Sequence, residues 1–151
     1  MQAAELAQTL GLSDVEVVAA TLWGEARNQT VYGRIAIAHV IKNRMARRAQ
    51  TAHEVCLAKL QFSCWWSVGG AANHAALLVL LNHLADYRDP VWLECLWVAK
   101  GVLDGVCRDV VKGADHYVTT TLLNSTARPN WVLGMLCIGR VGDHTFYRSA
   151  V

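Results

Sequence analysis

Helix starts are the strongest constraint in this chain. Ser13 and Glu16 stand in the S-x-x-E spacing, Thr51 and Glu54 repeat it, and Asp89 precedes Pro90. In the first two, the hydroxyl can accept an N–H of the first turn while the Glu reaches back to the cap. In the third, proline fills the first helical position, where no N–H partner is needed. Apolar residues follow at helical spacing: Val15, Val18, Ala19 and Leu22; then Ile35, Ala38, Ile41 and Met45; then Trp92, Cys95, Leu96, Ala99, Val102 and Leu103. The pattern predicts a helix from near Asp14, one over 31–47 after the break at 28–30, and a short one after Thr51. It predicts another over 71–84 behind the Gly69-Gly70 turn signal, and one from Pro90 to a stop at Gly105. The last third differs. Residues 116–121 are rich in β-branched side chains and read as a strand, and 138–141 and 145–148 around Gly142-Asp143 read as a hairpin. The expected fold class is mainly α (α+β), a helical body with a small β-hairpin element in the C-terminal third, as a single domain over 1–151.

Composition removes several function classes. Hydrophobic residues make up 54% and charged residues 17% of the 151, which excludes intrinsic disorder. A net charge of +2 is too mild to predict nucleic-acid binding. The longest stretch without formal charge, 60–85, is broken by Ser67, Asn73, His74, Asn82 and His83, so a buried helix is expected there and not a membrane anchor. The start has no basic residue ahead of an apolar run and carries Glu5, which makes it a poor secretory signal. Five cysteines with no C-x-x-C argue against a disulfide framework or a zinc ribbon. No P-loop, GxGxxG, GxSxG or H-E-x-x-H is present, so neither a metal nor another cofactor is expected from the six histidines.

Glu25 is the candidate for chemistry. It lies three positions after Leu22 and seven after Val18, on the flank of a core-facing stripe beside Trp23. A carboxyl withdrawn from water there favours its protonated form, which suits a general acid at a glycosidic oxygen. The alternative is an ordinary Glu at a helix end, paired with Arg27. Six tryptophans (23, 65, 66, 92, 97 and 131) suit a carbohydrate groove, and the adjacent Trp65 and Trp66 are expected to put at least one ring toward solvent or ligand. The basic run Lys42, Arg44, Arg47 and Arg48 reads as a solvated helix end, with attraction to a polyanion as the functional alternative.

The blocks Leu22-Trp23-Gly24-Glu25-Ala26-Arg27, Gly33 through Arg44 (GRIAIAHVIKNR) and Gln61-Phe62-Ser63-Cys64-Trp65 resemble successive signatures of the cell-wall hydrolases of the spore-cortex-lytic type (SleB/CwlJ-like). The likeness continues through Val102-Leu103-Asp104-Gly105, Gly113-Ala114-Asp115-His116-Tyr117, Pro129-Asn130-Trp131 and His144-Thr145-Phe146-Tyr147-Arg148. The resemblance implies a lysozyme-like catalytic domain that cleaves peptidoglycan between N-acetylmuramic acid and N-acetylglucosamine by lytic transglycosylation. It implies Glu25 as the catalytic acid and base, and Gln61, Phe62, Ser63, Trp65, His116, Tyr117, His144 and Tyr147 as substrate-binding positions. Hydrolysis of the usual kind would need a second carboxylate, at about 5–5.5 Å or 6.5–9.5 Å; Asp115 and Asp143 are the candidates by context. Two departures from the family pattern stand out: the Ala/Leu-rich segment 66–88, and Val118 where a second His is usual.

The expected setting is that of a phage or prophage endolysin. It would be made in the host cytoplasm and reach the wall after holin-type release, as a monomer with peptidoglycan as partner, no nucleic acid and no stable membrane insertion. A metal-dependent amidase and a helical binding module using Lys42 to Arg48 are the competing classes.

Overall fold

The computed structural model describes residues 1–68 and 71–150, with backbone only at Ala71. The predicted Gly69-Gly70 turn lies outside the described residues. Five longer helices form the body: α1 (Ala3–Leu10), α2 (Asp14–Ala26), α3 (Val31–Arg48), α5 (Ala71–Asn82) and α6 (Pro90–Leu103), with the short α4 (Ala52–Cys56) after α3. The C-terminal third holds β1 (His116–Thr119), the one-turn α7 (Thr120–Leu123), β2 (Leu136–Val141) and β3 (His144–Arg148). A 3-10 turn over Ser63–Trp65 links α4 to the segment before α5, and another spans Asn130–Gly134.

The predicted caps form. Ser13 and Glu16 close a reciprocal capping box on α2, Thr51 Oγ1 accepts the Glu54 N–H at 3.1 Å, and Asp89 Oδ1 accepts the Val91 N–H at 2.9 Å. Thr30, which the sequence pattern leaves as part of a break, caps α3 through the Gly33 N–H. The strand expected over 116–121 stops at Thr119, because the Thr119 hydroxyl accepts the Leu122 N–H and turns the chain into α7. The expected hairpin is there, but β1 joins it on the β3 side, giving an antiparallel sheet of order β1-β3-β2. Helix α1 was not anticipated; its start is served by Gln2, whose N–H donates to Glu5 Oε2 at 2.9 Å.

Helix α2 is the centre of the core. Val17, Val18, Ala19, Ala20, Leu22 and Ala26 are all fully buried, and α2 packs against α6, α3, α4 and α5. Burying an apolar side chain of Val or Leu size stabilises by about 1.5–3 kcal/mol, so this helix is the hardest element to displace. Its C-terminal end carries Glu25. The Ala/Leu-rich segment becomes α5, with Leu77, Leu80 and Leu81 inside. Among the described residues no helix is long and apolar enough to cross a membrane.

Candidate active site

Three contacts hold the end of α2 in place. The buried Arg34 guanidinium donates to the carbonyls of Ala26, Arg27 and Gln29, closing the helix end, and pairs with Glu94 on α6. Arg27 lies over the Trp23 ring, 4.7 Å from its centroid, and donates to Asn73 Oδ1 at 3.0 Å. The Cys64 backbone N–H donates to Glu25 Oε1 at 3.1 Å. That last bond depends on Gly24: a Cβ there would lie 2.5 Å from Cys64 Cβ and 2.6 Å from its Sγ. Glycine is therefore required beside Glu25 for the 3-10 turn to reach it. Glu25 does not pair with Arg27 in the way the ordinary-helix alternative required; its carboxylate is bound to the Cys64 turn.

Glu25 lines three surface hollows, a small one of about 180 Å³ with Gly24, Arg27, Asn28 and Asn73, and two larger ones that form the arms of a cleft. One arm, about 330 Å³, is walled by Arg44, Gln61, Phe62, Ser63, Tyr117, Val118, Leu122, Pro129 and Trp131, with Leu60 at its edge. The other, about 420 Å³, is lined by Asn28, Gln29, Thr119, Thr121, Asp143 and His144. The first arm is largely aromatic and apolar, the second largely amide, hydroxyl and carboxylate. Three ionisable neighbours of Glu25 are shifted toward their neutral forms. Burial, then the nearby Glu25 charge and a hydrogen bond to it, push the Cys64 thiol well up, and burial followed by the Glu25 charge does the same to the Tyr117 hydroxyl. Burial also lowers His144, only partly opposed by Asp143, and its ring stands edge-on to Tyr117 at 5.0 Å.

The Lys42-Asn43-Arg44 run of α3 ties α3 to α6 and, through Asn43 and Arg44, fixes the approach to the sheet wall. Lys42 Nζ donates to the Val102 carbonyl at 2.9 Å, and Asn43 Nδ2 donates to Asp109 Oδ2 and to the Ala114 carbonyl. Arg44 Nε donates to the Asp115 carbonyl at 2.7 Å, and its guanidinium lies over the Phe62 ring. Asp109 in turn accepts the N–H groups of Val111 and Gly113, shaping the left-handed Lys112-Gly113 turn that delivers the chain into β1. The basic run is a solvated helix end only in its second half: Arg44 is 6% exposed and Lys42 half-buried, whereas Arg47, 3.7 Å from Asp115, and Arg48 are exposed.

The structure brings Glu25, Gln61, Phe62, Ser63 and Tyr117 together in one arm and adds His144 in the other. Trp65 is a correction: it is fully buried, with its indole N–H donating to Thr21 Oγ1 at 2.9 Å, so no face is left for a ligand. Of the adjacent pair, Trp66 does not line the cleft either, and its indole nitrogen is buried without a partner among the described residues. His116 and Tyr147 are corrected to one remove from the cleft. Both pack on Trp131, at 5.1 and 5.5 Å between ring centroids, and Trp131 is the ring that lines it. His116 and Tyr147 are cross-strand partners of β1 and β3, and Trp131 covers both. Arg44 and Trp131 are cleft residues that sequence reasoning did not assign to substrate; for Trp131 the Pro-Asn-Trp block was a usable signal. Of the two candidate second carboxylates, Asp115 is buried and bound by Ser149 and His116, away from the cleft, whereas Asp143 lines it. Among the described residues no cluster of His, Cys, Asp or Glu could hold a metal ion.

A helical domain whose acidic side chain sits at the end of its most buried helix, facing a cleft with a small sheet for its far wall, is of the lysozyme-like class. The chain belongs to the cell wall hydrolase family, whose model matches residues 28–147 and so begins just beyond Glu25. Among solved structures it is similar to the catalytic domain of the germination-specific lytic transglycosylase SleB from Bacillus anthracis. The TM-score is 0.64 at 20% identity, over 91% of this chain and 98% of that one, a likeness of fold. No curated protein sequence matches the chain.

Proposed function

We propose that this protein cleaves peptidoglycan between N-acetylmuramic acid and N-acetylglucosamine as a lytic transglycosylase, with Glu25 as the proton donor. The observation that carries the reading is the fixed carboxyl at the fork of the cleft, bound on one oxygen by the Cys64 N–H. An N–H bonds best to the carbonyl-type oxygen of a carboxyl, so the acidic proton is assigned to Oε2. Glu25 gives that proton to the bridging oxygen as the C1–O bond breaks, leaving positive charge on the muramic acid ring. The 6-hydroxyl of the same sugar then forms a bond to C1 and returns its proton to Glu25. The products are a 1,6-anhydro end and a free 4-hydroxyl, no water is consumed, and the carboxyl is restored. Cys64 and Tyr117, both pushed up by burial, add no negative charge beside Glu25, and the aromatic arm offers Trp131 for a sugar face.

Mass spectrometry of fragments released from purified sacculi tests this. Anhydro-ended muropeptides are expected; reducing-ended ones would mean hydrolysis, and free peptide stems an amidase. With this chemistry goes an endolysin role, in which the enzyme reaches the wall from the cytoplasm through a holin-type pore. Expression in a Gram-negative host is then expected to lyse cells only when a holin is co-expressed.

A further inference from the structure

Asp143 sits at an exposed turn between β2 and β3, yet it is tied at both ends. Its Oδ2 accepts from Gln29 Nε2 at 3.0 Å, and its carbonyl accepts the Thr120 N–H at 2.8 Å. The turn is shaped for this contact: Gly142 has φ +57°, and a Cβ there would lie 2.9 Å from Gln29 Oε1. Gln29 follows Glu25 on the segment whose carbonyls Arg34 clamps, so the position of Asp143 relative to Glu25 is set through one short, braced path. Its Oδ1 has no hydrogen-bond partner among the described residues, and the Asn28 amide and Thr121 hydroxyl line the same arm.

We infer that Asp143 is a substrate-positioning residue of the polar arm, accepting hydrogen bonds from the hydroxyl or acetamido N–H groups of the sugar bound there, while Glu25 alone handles the proton. The inference rests on the transglycosylase reading, in which Glu25 is both acid and base and a second carboxylate is left for binding. It also makes Gln29 a second residue for the arm, acting through Asp143.

The test is calorimetric titration of Glu25→Gln protein with soluble, peptide-free glycan fragments of alternating N-acetylglucosamine and N-acetylmuramic acid. Adding Asp143→Ala is expected to weaken binding about tenfold, the size of one hydrogen bond to a charged group, and Asp143→Asn, which keeps an acceptor, by less. In otherwise wild-type enzyme, Asp143→Ala is expected to raise KM about tenfold, keep kcat within about threefold and leave the anhydro products unchanged. Unaltered binding on Asp143→Ala, or a hundredfold fall in kcat at constant KM, would overturn the assignment while leaving the transglycosylase reading standing. Failure of the Glu25→Gln protein to bind glycan, together with intact sacculi after wild-type treatment, would remove both.

Discussion

Replacing Gly24 with alanine sets two effects of opposite sign against each other. Gly24 is buried inside α2, and glycine within a helix costs about 1 kcal/mol relative to alanine, so propensity alone favours the substitution. Against that, the new methyl would stand 2.5 Å from Cys64 Cβ and 2.6 Å from Cys64 Sγ, both on a fully buried residue. Overpacking of this kind costs about 1–3 kcal/mol, and two contacts below any normal carbon–carbon or carbon–sulfur approach put it at the upper end. The expected net effect is a loss of about 2 kcal/mol, roughly a 30-fold fall in the folded-to-unfolded ratio. Relief of the clash moves the 3-10 turn off α2, and with it the Cys64 N–H that orients Glu25, so activity on sacculi falls further than stability explains. Urea unfolding followed by circular dichroism gives the first quantity and turbidity clearing the second. Combining Gly24→Ala with Cys64→Ala removes the Sγ contact but keeps the Cβ one and should rescue only in part, whereas Cys64→Gly removes both and should rescue more fully. A Gly24→Ala protein that is more stable than wild type, with full activity, would refute the close-approach argument.

Other expectations concern the supports of the site. Removing the guanidinium in Arg34→Met leaves buried carbonyls at the end of α2 unpaired and should cost about 1.5–3 kcal/mol in urea unfolding; Arg34→Lys should recover only part, since an ammonium cannot span three carbonyls and Glu94. Burial pushes Asp115 upward, but hydrogen bonds from Ser149 and His116 outweigh it and hold the carboxyl below its ordinary value. A carboxyl lowered on folding stabilises above its unfolded pKa of about 3.9 and loses that contribution as pH falls through the folded value, so Asp115→Asn should flatten the acid limb of stability against pH below about 4. His74 is lowered by burial and then by the positive chain terminus, and its Nε2 accepts the Ala3 N–H at 3.1 Å. Protonation removes that acceptor, so hydrogen-exchange protection of α1, corrected for intrinsic rate, should fall as pH drops below about 6.5, and His74→Gln should remove the dependence.

The helical body could be read from local signals because those signals act locally. The Ser13, Thr51 and Asp89 caps and the stripes behind them need no distant partner to form, and the elements appear where the spacing puts them. Helix α1 escaped because its start uses Gln2 and a returning Glu5, and because His74, far along the chain, caps the Ala3 N–H. The C-terminal third was legible only in part. Nothing in residues 116–121 themselves says that the Thr119 hydroxyl will end the strand, and the pairing of β1 with β3 is a long-range choice. At the site, Glu25, Gln61, Phe62, Ser63, Tyr117 and His144 could be named from motif blocks and share a cleft. Blocks do not reveal facing, however: Trp65 turned inward to find Thr21, and His116 and Tyr147 took the sheet face behind Trp131. Charge patterning misled at Lys42 and Arg44, where the cations serve backbone carbonyls of α6 and the approach to β1.

Clearing of purified sacculi by Glu25→Gln protein, set beside wild type at equal folded concentration, bears most directly on the whole account. Glutamine keeps an acceptor for the Cys64 N–H but has no proton to give, so the fold should persist by circular dichroism while the rate drops by about two to four orders of magnitude. Clearing at the wild-type rate would take the proton donor away from position 25 and leave the cleft without its chemistry.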